Sequence, residues 1–291
     1  MQREEEIASG EYRLAATMFE PESAVTGAVL FVAPFVEERK GTLPVIVQAA
    51  REWAGRGVAS LFFDYAGTGD STGSFMDVPP EQFMRDVETS LAFLRQKCPG
   101  VPVAIVGIRA GCCLAAGTAA RHDGDIAALV EWAPVAGEEF LKQLLQRRMV
   151  NDMVAYGKAR ESRANLERRL MTDEAVDLDG YTFSGAMFRW MKGMTLLACA
   201  TPTLAPELRI PPFWNTVGHV DMAPLIAATE IWLAPRLSMT TKSAPTETGR
   251  TVRMAFDWPT GTPTGGALFL HGWSGDRTGP HRLFTEFARQ L

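Results

Sequence analysis

Val101-Pro-Val-Ala-Ile-Val-Gly-Ile-Arg-Ala-Gly-Cys-Cys-Leu-Ala-Ala-Gly117 is the stretch whose reading decides the fold. Its apolar start reads as a buried strand. Gly107-Ile-Arg-Ala-Gly111 follows, and an alanine-rich helix begins at once. This is the layout of a nucleophile elbow, G-x-S-x-G, in which a sharp strand-to-helix turn lifts one side chain above a sheet. The glycines suit it because they have no Cβ to clash where strand and helix crowd together. Arg109 stands where that motif carries serine.

Outward from this point, strands alternate with helices. Residues 11–19 alternate weakly and predict a half-buried antiparallel strand, whereas Ala28–Ala33 and Val58–Phe63 are continuous apolar runs of strands covered on both faces. Helices are predicted over residues 43–55 and 79–96, and Ile126–Trp132 is a further strand. The alternation means an α/β fold with a mostly parallel sheet. In such sheets ligands bind at the carboxyl ends of the strands. The segments expected to converge are therefore Ala33–Gly41, Asp64–Gly73 and Arg109. The glycines of Ala66–Asp70 fit the spacing of neither a P-loop nor a dinucleotide fingerprint.

From residue 137 the pattern becomes charged and helical, which predicts a helical lid inserted over about 137–205. Its basic residues read as a solvated face or as the wall of an anionic-ligand channel. Leu208–Trp214 is expected to form a short edge strand, limited by Pro211 and Pro212, before an amphipathic helix over Pro224–Leu233. Residues 13–53 then align without gaps on 251–291, with matches that include Pro21/Pro259, Gly27/Gly265, Phe31/Phe269 and Arg51/Arg289. The expected organisation is one domain over 1–237, a linker over 238–249, and the incomplete start of a second copy over 250–291. Two strands and part of a helix cannot bury a core alone, so that copy either continues or docks on the first domain.

Composition sets bounds. The net charge of −5 argues against a general nucleic-acid binder. No apolar stretch approaches the roughly 20 residues of a membrane span, and the charged start does not read as a secretory signal, so the expected location is the cytoplasm. Cys98, Cys112, Cys113 and Cys199 lack zinc spacing, and neither metal nor cofactor is expected.

The strand, the loop after it, the Asp64-Tyr-Ala-Gly-Thr-Gly-Asp-Ser-Thr-Gly73 segment and the elbow together resemble an α/β-hydrolase of the serine-aminopeptidase-like group. Four further blocks are similar to the second of the two exosortase A system-associated hydrolases, encoded with protein-sorting and exopolysaccharide genes. They are Pro34–Lys40, Gly107–Gly111, Trp132–Gly137 with Phe140–Leu145, and Pro212–Trp214. The resemblance covers roughly residues 10–235. It implies the α/β-hydrolase fold, with helices on both faces of the sheet and a helical lid. It also implies a hydrolase of ester or amide substrates, and an arginine elbow shared with that family.

The residues leave the chemistry open. A triad needs a nucleophile, a base and an orienting acid, and a guanidinium stays protonated and supplies none of them. His219, just before the closing helix, sits where a hydrolase histidine belongs, or is an exposed loop histidine. Glu207 is the only carboxylate between Gly185 and His219. Arg109 has three readings: a salt bridge with Glu37, Glu38 or Asp64 that plugs the old pocket, an anion site at a helix amino end, or unconventional catalysis. The anion reading takes Arg109, Ala110, Phe35, Glu38 and Asp64 as lining residues. Asp70 and Ser71 are expected to cap a turn. The second copy carries His271-Gly272 where the first has Ala33-Pro34, resembling a motif that builds the oxyanion hole of active hydrolases. Two functions stay in view: a hydrolase acting on a small molecule, and a non-catalytic module that binds an anion or partners a second, active domain within the chain.

Overall fold

The computed structural model describes residues 1–207, 211–216 and 220–241. The chain begins with an antiparallel hairpin, β1 (Gln2–Ser9) and β2 (Tyr12–Phe19). It continues through β3 (Gly27–Val32), α1 (Val36–Ala54), β4 (Val58–Phe63), α2 (Gln82–Lys97), β5 (Val103–Ile108), α3 (Gly111–Arg121) and β6 (Ala128–Trp132). The insertion consists of α4 (Gly137–Tyr156), α5 (Arg163–Met171), the two-stranded β7 (Val176–Leu178) and β8 (Tyr181–Phe183), and α6 (Gly185–Lys192). The chain returns to the main sheet at β9 (Thr203–Leu204) and closes with α7 (Ala223–Leu233).

The main sheet has the order β1-β2-β4-β3-β5-β6-β9, parallel from β4 to β9. Successive residues of a strand face opposite sides, so a continuous apolar run must meet two cores. On β3, Val29 and Phe31 pack with Val45, Ile46, Ala49 and Trp53 of α1 and with Leu225, Ile226 and Leu233 of α7. Ala28, Leu30 and Val32 join α2, α3 and the insertion on the other side. Phe31 stacks on Trp53 at 5.6 Å, and the Trp132 indole donates to Thr229 Oγ1 at 3.0 Å, satisfying its polar atom inside the core. No described helix is long and apolar enough to cross a membrane.

Four sequence expectations need correction. β1 was not anticipated: Gln-Arg-Glu-Glu-Glu hides the strand pattern because an edge hairpin buries only Ile7 and Ser9 along it. α1 starts at Val36 rather than 43, with Gly41 and Pro44 inside it. Gly41 is a packing requirement, since a Cβ there would lie 2.6 Å from the Trp214 carbonyl oxygen. Among the described residues the strand that pairs with β6 is Thr203–Leu204; of the expected strand over Leu208–Trp214, residues 208–210 lie outside the described residues and Pro211–Trp214 is turn and coil. The insertion is also not wholly helical, because of β7 and β8. The second copy over 250–291 and all but the first residues of the linker lie outside the described residues.

Candidate active site

At the end of β5 the backbone turns sharply at Arg109, whose φ is 55°. The Arg109 N–H donates to the Trp132 carbonyl at 2.9 Å and its carbonyl accepts from Cys112 at 3.0 Å, so the turn is tied to β6 and to the first turn of α3. A Cβ on Gly107 would meet Cys112 Cα at 2.7 Å. One on Gly111 would meet the Val32 and Ala33 carbonyl oxygens at 2.5 Å. Both flanking glycines are thus required by close approach of helix to strand. Val36 (φ 49°) and Ala133 (φ 50°), after β3 and β6, share the left-handed conformation. Each such non-glycine residue costs of order 1–3 kcal/mol, and strain of this kind gathers at functional sites.

Arg109 is 4% exposed. Its Nε donates to Glu38 Oε2 at 3.2 Å, and Nη2 donates to Glu38 Oε1 at 3.4 Å and to Gln143 Oε1 at 2.6 Å. Nη1 donates to the Ala133 carbonyl at 3.4 Å. Trp214 covers the guanidinium face, 4.0 Å from ring centroid to Cζ. Four of the five N–H donors of an arginine therefore point at protein acceptors. Glu38 is shared: Arg147 Nη2 lies 3.5 Å from Oε1, and Arg147 Nε lies 2.9 Å from Asp179 Oδ2. Burial pushes the Glu38 carboxyl above its ordinary range, although Arg109 and Arg147 pull it back. Beyond Arg147 lies an open cleft of about 400 Å³, walled by Arg148, Asn151, Asp152, Asp179 and Asn215.

The structure thus brings Arg109 and Glu38 together and leaves the other named partners elsewhere. Asp64 is buried against Arg39, whose Nε donates to it at 2.6 Å, and burial raises its carboxyl with Arg39 opposing. Glu37 pairs with Lys40 at 3.2 Å. Phe35, the residue before α1, buries its ring on Tyr65 at 5.3 Å, and Ala110 precedes α3 beneath the elbow. His219 lies outside the described residues, and Glu207 is exposed. Ser71 accepts from the Ala15 N–H and donates to the Asp64 carbonyl, and the Asp70 N–H donates to Asp64 Oδ2. The glycines of this stretch supply positive φ at Gly67, Gly69 and Gly73, so the segment is a pinned turn.

Substitute nucleophiles are poorly placed. Burial raises the Cys112 thiol well above its ordinary value and pushes Cys113 up to about 11. A thiol attacks as its thiolate, so neither is activated. The hydroxyls of Thr42 and Thr68 donate to the Arg39 and Tyr65 carbonyls.

Residues 42–223, more than half of the chain, match the family model described as serine aminopeptidase, S33. The chain belongs to that family. Among solved structures, the α/β hydrolase GrgF from Penicillium sp. sh18 is similar at 15% identity, over 82% of this chain and 99% of that one, with a TM-score of 0.52. That likeness shows the α/β-hydrolase fold. Est1E from Butyrivibrio proteoclasticus, solved with ferulic acid, is 18% identical over 69% of this chain and 77% of its own, with a TM-score of 0.48. Comparison with curated proteins finds no match. Within the serine aminopeptidase frame, sequence reasoning missed Gln143, Arg147 and Trp214. Residues 143 and 147 are four apart and lie beside buried Phe140 and Leu144. That spacing places them on the inward-facing side of a helix, a signal that was available.

Proposed function

We propose that this domain is a non-hydrolytic member of the serine aminopeptidase family, with the elbow converted from a nucleophile mount into a fixed internal ion pair. One observation carries the reading: Arg109 keeps the strained elbow backbone while its side chain is spent on Glu38, Gln143, Ala133 and Trp214. An external anion would have to displace Glu38 and move Trp214, so the ion-pair plug is favoured over an open anion site. The His271-Gly272 pair of the second copy supports a role beside a second hydrolase-like unit that acts on ester or amide substrates. The blocks similar to the exosortase A system-associated hydrolases support a place alongside such a system.

The test is labelling with a serine-reactive fluorophosphonate. The expected result is no labelling of residues 1–237. Labelling that disappears on changing one serine in that range would overturn the reading.

A further inference from the structure

We propose that Arg109 latches the lid: the residue that removed the nucleophile holds α4 against the sheet. The groups concerned come from five separate parts of the chain. Arg109 is on the elbow, Glu38 on α1, Gln143 and Arg147 on α4, Asp179 between β7 and β8, and Trp214 and Asn215 on the segment before α7. Their contacts form one continuous chain. Trp214 stacks on Arg109, and Arg109 bonds Glu38 and Gln143. Glu38 meets Arg147, and Arg147 in turn meets Asp179 at 2.9 Å and Asn215 Oδ1 at 3.4 Å.

The signs alternate along it, so two cations and two anions neutralise one another. That balance matters because the side chains of Arg109, Glu38 and Asp179 are at most 5% exposed, and an unmatched charge so buried is costly. The length of arginine is essential. A serine hydroxyl ends one bond beyond Cβ, whereas the guanidinium extends to an amide on α4 at 2.6 Å. On the opposite side, the Gly41 backbone seats the Trp214 carbonyl, so the segment before α7 is held down on α1. Lid and segment therefore close over the elbow together. Loosening α4 requires breaking bonds to charged groups as well as exposing the apolar face of Phe140, Leu141, Leu144 and Leu145. This inference concerns the motion of α4, and holds whether or not the domain turns over a substrate.

Hydrogen–deuterium exchange of the full chain tests it, comparing wild type with Gln143→Ala, Arg109→Ser and the surface control Lys142→Ala. Losing a hydrogen bond to a charged group makes local opening about tenfold easier. Gln143→Ala is expected to raise exchange across α4 and the β7–β8 pair by about tenfold, with β3 and β5 at wild-type rates and Lys142→Ala silent. Arg109→Ser is expected to act in the same places and more strongly. Wild-type exchange of α4 in Gln143→Ala overturns the latch. So does an equal acceleration in β3 and β5, the mark of a core residue with no special hold on the lid. If Arg109→Ser does not fold, Gln143→Ala decides alone.

Discussion

Replacing Arg109 by Met, in a cycle with Glu38→Gln, tests whether the elbow is closed by a buried ion pair. Breaking such a pair by removing one partner costs about 3–5 kcal/mol. Glu38 would keep Arg147 at 3.5 Å, and burial already favours its protonated form, so the low end applies to Arg109→Met, about 3 kcal/mol. Glu38→Gln leaves Arg109 with Gln143, the Ala133 carbonyl and the Trp214 face, and should cost about 2 kcal/mol. In the double variant neither group faces an unmatched charge from the other. The combined loss should therefore be about 3 kcal/mol rather than about 5, a coupling of about 2 kcal/mol. Urea unfolding of the four proteins at one pH measures this, with slopes expected to agree because the exposed surface hardly changes. Additivity to within about 0.5 kcal/mol would mean that the two groups do not interact in solution. Arg109 would then be free of Glu38, and the elbow would be an open anion site.

Three further outcomes follow from the packing and the buried acids. Gly111→Ala sets a Cβ 2.5 Å from two backbone carbonyl oxygens that cannot yield, so thermal melting should show a loss of about 3 kcal/mol. Gly193→Ala, with its nearest atom at 3.5 Å, should cost nothing; equal effects at both positions would contradict the close-approach argument. A thiol reagent near pH 8 should modify half-buried Cys199 in the native protein and Cys98, Cys112 and Cys113 only in urea, since burial withholds their thiolates. Fast native modification of Cys112 or Cys113 would reopen a cysteine nucleophile. Asp86, bonded to Ser9, Gln82 and the Ala66 N–H, is raised by burial above its ordinary 3.8. Its stabilising contribution is therefore whole below about 3.8 and is lost as pH rises through the folded value. The stability of wild type minus that of Asp86→Asn should shrink as pH rises above about 4, and a difference that widens refutes the assignment.

The parts of the fold legible in the sequence are those whose local pattern and tertiary setting agree. β3, β4 and β5 are buried on both faces, so each residue had to be apolar or small, and the runs stand out. β1 is an edge strand with charged residues toward solvent, and β9 is two residues long; a pattern reading has too little apolar signal to find either. The early start of α1 was hidden for a different reason. Gly41 and Pro44 both read as helix breakers, yet here the glycine is set by the approach of Trp214 from 173 residues further along the chain. Helix propensity yielded to packing.

The site divides in the same way. The elbow was visible because its glycines answer a local demand, the crossing of β5 and α3, which the sequence carries within five residues. Among Glu37, Glu38 and Asp64, the choice of partner for Arg109 was not visible, because it depends on the left-handed turn at Val36 and on α1 starting seven residues before its predicted start. That start turns residue 38 inward against the elbow, lets Arg39 take Asp64, and lets Lys40 take Glu37. Three neighbouring charged residues thus receive three different partners, and the pairings of Arg39 with Asp64 and of Lys40 with Glu37 each remove an alternative for Arg109. An arginine buried at the elbow demands a buried carboxylate, and α1 supplies it as Glu38. With a serine at position 109, Glu38 would be a buried carboxylate that keeps Arg147 and lacks its nearest cation.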